Sequence, residues 1–350
     1  MGTGILTIDL NALANNWQAL DRMSNPAVET AAVVKADGYG LGAGVVAKHL
    51  MREGVNKFFV AATEEGAALR AQIGDTSEIY VLSGHMVGDT DMIRDARLVP
   101  MLNSREQITR HFDTLPTTPF GVQLDSGMNR LGLEPADWAD VKEAVLARKP
   151  ALLMSHLACA DVPQDPMNTQ QLACFRDMTD GLNVPRSLAA TGGILLGPDY
   201  HFDLVRPGVG LYGGFPFLDA ISVVHLALPV IQIRDVERGE HVGYANGWRA
   251  EKPSKIATLA AGYADGLIRA MGNTATQVFA GETPCEVLGR VSMDMLTVDV
   301  SHLTDTPEYL DILCKNQTVD QLADQAGTIG YEILTSLGAR YQRHLKGDTA

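Results

Sequence analysis

Short apolar runs alternate with amphipathic segments from the N-terminus to about Tyr212. Eight runs have the length and residue types of strands, namely AAVV at 31, KFFVAA at 57, EIYVL at 78, LVPML at 98, FGVQL at 120, ALLMSHL at 151, RSLAA at 186 and FDLVRP at 202. Helix-like stretches lie between the first six, such as TEEGAALRAQI and ADWADVKEAVLAR, and Thr63 and Ser104 are predicted helix N-caps. This alternation predicts an α/β fold, a closed parallel (β/α)8 barrel.

The main alternative is an open, doubly wound sheet that binds a dinucleotide. Such a fold needs a glycine-rich loop of G-x-G-x-x-G spacing after its first strand. The loop found there is KADGYGLG, whose glycines do not have that spacing. The barrel is therefore favoured, and barrels of this type carry their reactive groups at the carboxyl ends of the strands.

The pattern changes at about Ala220 to strands without intervening helices. These runs are ISVVHLALPVIQI, SKIATLAAGYA, TQVFA, CEVLGRV and MLTVDV, separated by turn sequences such as RGE and GET. They predict a mostly antiparallel β domain over residues 223–350, after a barrel over residues 9–222. We expect residues 1–8 to pair with the β domain, and one helical segment to cover residues 318 to about 337.

Composition and charge exclude several classes of protein. The 350 residues are 46% hydrophobic and 20% charged, which suits a globular protein with one or two cores. The net charge of -14, without any basic run, opposes binding to nucleic acid. No apolar stretch has the length of a membrane span, and MGTGILTIDL lacks the features of a signal peptide. We therefore expect no membrane association and a cytoplasmic location.

Four cysteines bear on metal binding and redox state. Cys159, Cys174, Cys285 and Cys314 lack the paired spacing of zinc ligands or of a disulfide framework. We therefore expect no metal site and ordinary reduced thiols, as in a cytoplasmic protein.

Lys35 is the first candidate for chemistry, because it ends the first apolar run and is followed by a glycine-rich loop. A lower dielectric there would depress the pKa of the amine, and a neutral amine forms Schiff bases with carbonyl compounds. Tyr39 lies in the same loop, whose glycines let the backbone approach a ligand closely. Taken alone, a lysine at a strand end is more often a solvated surface group.

Seven segments, in order and spread over almost the whole chain, closely resemble those of alanine racemases: VVKADGYGLG, LDSGMNRLG, SHLACAD, VRPGVGLYGG, VGYANG, GYADG and RVSMD. Any one would be weak support, but seven with matching intervals are specific. The resemblance implies a barrel that binds pyridoxal phosphate, a β domain behind it, and a head-to-tail homodimer.

The resemblance gives roles to two proton carriers. Lys35 matches the lysine that holds pyridoxal phosphate covalently and then moves the α proton on one face of the substrate. A planar carbanion that is protonated only from its original side regenerates the same enantiomer, so racemisation needs a second acid/base on the other face. Tyr244 matches that group, which in similar enzymes comes from the partner subunit.

Two further residues match groups around the cofactor ring. Arg206 matches the arginine that faces the pyridine nitrogen. Since arginine stays protonated and cannot accept a proton, that nitrogen should remain uncharged, and the weaker electron sink favours racemisation over transamination. His156 matches a histidine that bridges the catalytic tyrosine to this arginine. Without the resemblance, a surface ion pair and a core histidine are the ordinary interpretations.

The phosphate group should be held by Tyr39, by Thr191 after the seventh strand, and by the backbone amides of Gly208 and Val209 after the eighth. This agrees with the usual phosphate site of parallel barrels.

The resemblance also implies a set of substrate-binding residues. Arg130 matches the arginine that steadies the cofactor phenolate oxygen and the substrate carboxylate. The partner's Met293 would offer a backbone amide to that carboxylate. Tyr263 and Asp294 line the entrance in similar enzymes, although either residue could equally be structural.

The chain departs from the family pattern at several positions. Gln123 stands where many relatives have a lysine that is modified to a carbamate, so an anion such as chloride fills the gap or the glutamine amide orients Arg130 directly. Ala190 and Thr191 replace the usual Asn-Ser, Ala339 replaces a phosphate-binding tyrosine, and Ser292 replaces a common cysteine. These changes predict weaker retention of the cofactor than in relatives.

Three functions remain open from the sequence. The first is an alanine racemase that supplies D-alanine for peptidoglycan or consumes it as a nutrient. The second is a racemase of broader or different specificity, for example for serine. The third is a non-catalytic protein that carries pyridoxal phosphate, which the β domain with Tyr244 argues against.

Overall fold

The computed structural model describes residues 4–272 and 275–347. The expectations for residues 1–3 and 348–350 therefore lie outside the described residues. The chain divides into two compact units, of which one comprises residues 14–211 and 216–219 and the other contains the remaining described residues.

The elements of the N-terminal part follow in the order β1 (Ile5–Asp9), α1 (Leu10–Asp21), β2 (Glu29–Thr30), β3 (Ala32–Val33), α2 (Lys35–Tyr39), α3 (Ala43–Arg52), β4 (Lys57–Val60), α4 (Thr63–Ile73), β5 (Glu78–Val81), α5 (Thr90–Asp95), β6 (Val99–Leu102), α6 (Arg105–Thr114), β7 (Gly121–Gln123), α7 (Pro135–Leu146), β8 (Leu152–Met154), α8 (Pro166–Thr179), β9 (Arg186–Ser187), α9 (Thr191–Leu195) and β10 (Leu204–Val205). Short 3₁₀ turns lie at Pro198–Tyr200 and Val209–Tyr212.

The elements of the C-terminal part are β11 (Val224–Val236), β12 (His241–Val242), β13 (Trp248–Arg249), β14 (Ser254–Leu259), β15 (Gln277–Ala280), β16 (Thr283–Leu288), β17 (Leu296–Asp299), β18 (Tyr309–Leu313), α10 (Val319–Ala326), α11 (Gly330–Ser336) and β19 (Gln342–Lys346). Further 3₁₀ turns lie at Tyr244–Asn246, Tyr263–Asp265 and Arg269–Met271.

The first unit contains a ring of parallel strands. The strands from β3 to β9 form one sheet in chain order. β2 runs into β3 after a single residue and pairs in parallel with β10. On its other side the chain of β10 meets β9 through the bond from the Asp203 amide to the Arg186 carbonyl, 3.0 Å. A bridge between Ala190 and Arg206 continues this contact beyond the two strands. The ring is closed, so the predicted (β/α)8 barrel is confirmed.

The barrel strands coincide with the apolar runs because a parallel strand between helices and the barrel interior is buried on both faces. In β4, for example, Phe58, Phe59 and Val60 are fully buried. The two predicted helix caps differ in outcome. Ser104 caps α6 and accepts from the Gln107 amide at 3.3 Å, whereas Ala62 is the N-cap of α4, so that prediction for Thr63 was wrong. The Thr63 hydroxyl donates to Asp89 instead.

The second unit contains a closed antiparallel sheet built around the long strand β11. The order is β14, β17, β16, β15, β18 and β11, and β11 pairs again with β14. A register shift between Val230 and Gln232 lets one strand serve two neighbours, because a bulge bends the strand between them. β1 extends the sheet beside β11, and β19 runs parallel to β1. The predicted, mostly antiparallel β domain is therefore confirmed.

The predicted helix over residues 318 to about 337 is two helices in the structure. Thr318 and Gln321 form a capping box at the start of α10. Gly327 then adopts φ 69°, a left-handed conformation that ends α10 before α11 begins. The apolar pattern spans both helices, which is why the single-helix prediction was wrong. Of the helices that the structure describes, none is both long and apolar enough to cross a bilayer.

Two buried histidines, His85 and His111, form a hydrogen-bonded pair in the barrel unit. Their Nδ1 atoms are 3.2 Å apart, and His111 Nε2 lies 3.2 Å from the Thr118 carbonyl. Since a carbonyl only accepts, His111 Nε2 carries the proton, His111 Nδ1 accepts from His85, and His85 Nε2 accepts from the Thr90 hydroxyl at 2.9 Å. This assignment requires both rings to be neutral. Burial favours that state, since it lowers the pKa of His111 to about 4 and also lowers the pKa of His85.

We expect this pair to make the fold sensitive to acid. Between pH 6.5 and about 4 the histidines bind protons in the unfolded chain but not in the folded pair. The free energy of unfolding therefore falls as the pH falls through this window. The loss for His111 is on the order of 2 kcal/mol. The fall in the urea midpoint across this window should be smaller in His111→Gln than in the native protein, with the exposed His344→Gln as the control. An equal fall in both variants would contradict the assignment.

Candidate active site

The chain leaves β3 through a left-handed turn that begins beside Lys35. The four residues after Lys35 all have φ between 52° and 64°: Ala36, Asp37, Gly38 and Tyr39. Because an L-residue in this region costs about 1–2 kcal/mol, other contacts must hold the turn. One of them is the bond from the Ala43 amide to Asp37 Oδ1, 2.8 Å. Backbone strain of this kind is typical of functional sites.

The carboxylate of Glu65 joins the ends of the first two barrel strands. Its two oxygens accept from the amides of Ala36 and Ala61, each at 2.8 Å. Burial, and then the charge of Arg130, lower the pKa of Lys35 below its ordinary value, while Glu65 acts in the opposite direction. The amine therefore loses its proton more easily than a solvated lysine. Glu65 was not predicted from the sequence, although carboxylates are common in the first turn of a helix.

Arg206 is a buried cation whose hydrogen-bond acceptors are neutral groups. Its Nη2 donates to the Ser155 carbonyl at 2.8 Å, and its Nη1 donates to the Ser187 hydroxyl. That hydroxyl donates in turn to the Leu204 carbonyl at 2.6 Å. No ion pair of the described residues includes Arg206. Burial lowers the pKa of Arg206 to about 10, so the guanidinium remains charged at neutral pH.

His156 follows β8 by two residues and is uncharged. Burial, followed by the positive charges of Arg206, Arg130 and Lys35, lowers the pKa of His156 to about 3. Its imidazole therefore stays neutral over the physiological range. A neutral ring can accept a hydrogen bond at one nitrogen while it donates from the other.

The ends of the seventh and eighth strands are tied together at Thr191. Its Oγ1 accepts from the amides of Gly208 at 3.1 Å and Gly210 at 3.2 Å. A Cβ on Gly208 would collide with the Tyr39 hydroxyl, so the glycine is required for this close approach. The predicted phosphate-binding residues are thus neighbours, with the Gly208 amide directed at Thr191. Val209 follows at the start of its 3₁₀ turn.

Gln123 anchors the loop that carries Arg130. The loop is closed by two backbone bonds, from the Asp125 amide to the Leu133 carbonyl at 2.8 Å and from the Leu133 amide to the Gln123 carbonyl at 2.9 Å. The Gln123 side chain donates from Nε2 to the Leu131 carbonyl at 3.2 Å. Within the described residues it forms no hydrogen bond with the guanidinium of Arg130. Gln123 therefore contacts the backbone next to Arg130 rather than the guanidinium.

The remaining predicted residues belong to the β domain. Tyr244 lies in the turn between β12 and β13, and 70% of it is exposed. Ala245 and Asn246 beside it have φ of 56° and 52°. The phenol of Tyr244 has no hydrogen-bond partner among residues 4–272 and 275–347.

Tyr263, Met293 and Asp294 lie in one hydrogen-bonded cluster of the β domain. The Tyr263 amide donates to the Ser292 carbonyl at 3.0 Å. Arg340 donates to both oxygens of buried Asp265, at 2.6 and 2.7 Å, and to Asp294 at 2.8 Å. Asp294 thus has a structural partner. Arg340 was not identified from the sequence, since its two carboxylate partners are 75 and 46 positions away.

The twelve predicted site residues therefore fall into two groups. The barrel unit carries Lys35, Tyr39, Arg130, His156, Thr191, Arg206, Gly208 and Val209. The β domain carries Tyr244, Tyr263, Met293 and Asp294.

Comparison with known proteins identifies the family. A family profile described as "Alanine racemase, N-terminal domain" matches residues 8–216, and one described as "Alanine racemase, C-terminal domain" matches residues 223–345. The chain belongs to the alanine racemase family. The resemblance predicted from the seven segments is thereby confirmed.

Relatives in this family are similar to the chain over nearly its whole length. A protein of Cereibacter sphaeroides named alanine racemase is 64% identical over 343 residues, which cover 98% of each chain. A protein of the same name from Dinoroseobacter shibae is 61% identical over 350 residues, which cover 100% of each chain.

Solved structures agree with this assignment. Alanine racemase from Bartonella henselae, with covalently bound pyridoxal phosphate, has a TM-score of 0.94 at 33% identity and covers 99% of this chain and 100% of that one. The biosynthetic alanine racemase from Pseudomonas aeruginosa has a TM-score of 0.91 at 35% identity, with the same coverage. The predicted class, an isomerase that depends on pyridoxal phosphate, is confirmed.

The residues of this racemase fit pyridoxal phosphate. The cofactor has three groups that need partners. Its aldehyde reacts with an amine, its basic ring nitrogen accepts a hydrogen bond from a cation, and its phosphate binds backbone amides. Lys35 offers an amine of lowered pKa, and Arg206 has guanidinium N–H groups beyond those on Ser155 and Ser187. The approach of Tyr39 to Gly208 leaves no room there for a side chain.

We expect Gly208→Ala to weaken pyridoxal phosphate binding by about tenfold or more, because the new methyl group pushes the Tyr39 hydroxyl out of place. Combining Gly208→Ala with Tyr39→Phe removes the hydroxyl and should lose less affinity than the sum of the two single variants. Titration of the apoprotein with the cofactor, followed by absorbance, measures each affinity. Native affinity in Gly208→Ala, or strict additivity in the double variant, would contradict this packing.

Proposed function

We propose that this protein interconverts L- and D-alanine on pyridoxal phosphate by a two-base mechanism. Lys35 binds the cofactor covalently and serves one face of the substrate, and the partner's Tyr244 serves the other. The observation that carries the proposal is a lysine of lowered pKa in one barrel site with Arg206, a buried cation without an acidic partner. Membership of the alanine racemase family supports it.

Different barrel residues would bind different parts of the cofactor. Arg206 would donate to the ring nitrogen, and Arg130 would face the phenolate oxygen and the substrate carboxylate. Tyr39, Thr191 and the Val209 amide would hold the phosphate, with the Gly208 amide donating to Thr191. When bound, pyridoxal phosphate withdraws electrons from the substrate Cα and so makes the α proton acidic. Since Arg206 does not give up its proton, it keeps the ring nitrogen unprotonated and limits this withdrawal, which favours return of the proton to Cα.

Proton transfer depends on two independent groups. Lys35 Nζ takes or returns the proton on its own face, and its lowered pKa favours the neutral amine that must accept it. Tyr244 Oη does the same on the opposite face. The neutral ring of His156 then bridges Tyr244 and Arg206, which lets the charge of the guanidinium stabilise a phenolate.

We propose that the active form is a homodimer in which Tyr244 and Met293 act in the partner's site. Both side chains are more than half exposed and lie on surface turns. Tyr263 and Asp294 lie close to Met293, where the Tyr263 amide binds the Ser292 carbonyl and Arg340 holds Asp294. Crowding by the two tyrosines favours a small substrate such as alanine, and serine is the second candidate.

The cellular role follows from the product. D-Alanine is a precursor of peptidoglycan, and we propose a cytoplasmic enzyme that supplies it. The described cysteines are all unpaired, which suits a reducing compartment. A non-catalytic carrier is disfavoured because it has no use for a second proton donor.

The first experiment incubates the holoenzyme with each alanine enantiomer in deuterium oxide and follows α-proton exchange and inversion. The native enzyme should show both. Tyr244→Phe should lose inversion by roughly a hundredfold or more while exchange continues from one enantiomer, because Lys35 still serves one face. If the enzyme does not exchange the α proton of alanine but does exchange that of serine, serine is the substrate. Absence of both would favour the carrier.

Mixed dimers test whether Tyr244 acts in the partner's site. Lys35→Ala and Tyr244→Phe are each expected to be inactive as homodimers. After the two are unfolded and refolded together, each mixed dimer should contain one site with a native lysine and a native tyrosine, so activity should return. If both residues served the same protomer, every site would lack one of them and no activity would return.

A further inference from the structure

Gln171 is a fully buried residue of α8 whose side-chain amide forms hydrogen bonds with the barrel. Its Oε1 accepts from the Ala158 amide at 2.8 Å. Its Nε2 donates to the His156 carbonyl at 2.9 Å and to the Ser126 hydroxyl at 3.3 Å. The primary amide has one carbonyl and two N–H groups, so all of its hydrogen-bonding capacity except one lone pair is used.

The contact with His156 and Ala158 has the pattern of a parallel strand. A residue in a parallel strand accepts from one neighbour residue and donates to the residue two positions earlier. The side-chain amide of Gln171 makes the same two hydrogen bonds, to the residues on either side of Leu157. These bonds lie beyond Met154, where β8 ends. The amide therefore extends the pairing of β8 and holds the backbone that carries the His156 imidazole.

A second branch leads from Gln171 to Arg206. Ser126, which accepts from Gln171, lies 2.8 Å from Ser155 between hydroxyl oxygens. The Ser155 carbonyl accepts from Arg206 Nη2 at 2.8 Å. Gln171, Ser126, Ser155 and Arg206 are each more than nine-tenths buried, so water does not compete for the bonds among them. One side chain thus contacts both the histidine segment and the network beneath the arginine.

We propose that Gln171 is a positioning residue of the racemase, which sets the placement of the His156 imidazole relative to the Arg206 guanidinium. Gln171 touches neither substrate nor cofactor and acts through the two backbone segments that it holds. The inference rests on the proposed function, since it assigns a task to His156 and Arg206 in racemisation. It adds a residue outside the seven segments that carry the family resemblance.

The electrostatic consequence follows from what faces His156. The charges that act on the imidazole are those of Arg206, Arg130 and Lys35, all positive. If the histidine segment moves away from Arg206, the strongest of these repulsions weakens and the ring protonates at a higher pH. Loss of the Gln171 amide should therefore change a pH dependence as well as a rate.

Asn168 provides a matched control on the same helix. It is equally buried and also carries an amide, and its Nδ2 donates to the carbonyls of Cys159 and Val162 at 3.2 and 3.1 Å. These carbonyls belong to the same loop but lie beyond Ala158. A change at Asn168 therefore removes buried amide bonds without releasing His156.

The experiment compares the holoenzymes of Gln171→Met and Asn168→Leu, which replace each amide with an apolar side chain of similar size. Both should lower the thermal midpoint. Only Gln171→Met should lower kcat, by about ten- to a hundredfold, and shift to higher pH the acid limb of kcat and the pH titration of the bound cofactor's absorbance. Gln171→Glu should recover kcat at low pH, where its protonated carboxyl donates to His156, and lose it again as the pH rises.

The proposal is overturned if Gln171→Met and Asn168→Leu lose kcat in proportion to their thermal midpoints with unchanged pH profiles. It is also overturned if Gln171→Met keeps the native kcat and absorbance titration. Failure of the proposed function is separate, because native holoenzyme without racemase activity would show it. The absorbance titration of the three variants would still decide whether Gln171 controls the environment of the bound cofactor.

Discussion

The active site depends on burying the guanidinium of Arg206 among neutral oxygens. Removing a charge from water costs several kcal/mol unless hydrogen bonds compensate. Here the compensation comes from the Ser155 carbonyl and the Ser187 hydroxyl, which belong to the ends of the sixth and seventh barrel strands. Arg206 itself follows the eighth. The cation is therefore stable only while three consecutive strand ends keep their positions, and the closed ring of strands supplies that rigidity.

Burial and positive charge together determine the protonation of the neighbouring groups. Burial, followed by the charge of Arg206, keeps His156 neutral, and burial, followed by the charge of Arg130, favours loss of a proton from Lys35. The negative charge of Glu65 partly opposes the fall in the pKa of Lys35, while its oxygens bind backbone amides. A site that holds the guanidinium groups of Arg206 and Arg130 is suited to anions, and pyridoxal phosphate and an amino-acid carboxylate are both anionic. The proton chemistry thus follows from the arrangement of fixed charges.

Buried amides hold the loops around this charge. Gln123 donates to the backbone beside Arg130, and Gln171 binds the backbone on both sides of Leu157. In the β domain Arg340 has a similar task, since it joins Asp265 to Asp294 and so steadies the turn of Met293. The two glutamines replace missing backbone partners, whereas Arg340 joins two carboxylate side chains.

Hydrophobic periodicity in the sequence determined the barrel, because eight buried parallel strands must be apolar on both faces, and it determined the change to an antiparallel β domain near Ala220. Seven motifs identified the family and so predicted which residues would hold the cofactor. Local signals failed at Thr63, where Asp89 competes for the hydroxyl, and at Gly327, where one glycine divides a continuous apolar pattern. They also could not show Glu65, Arg340 or Gln171 as parts of the site. Key partners of these residues are distant in sequence, and only the folded chain brings the carboxylate and the amide against backbone groups and the guanidinium against two carboxylates.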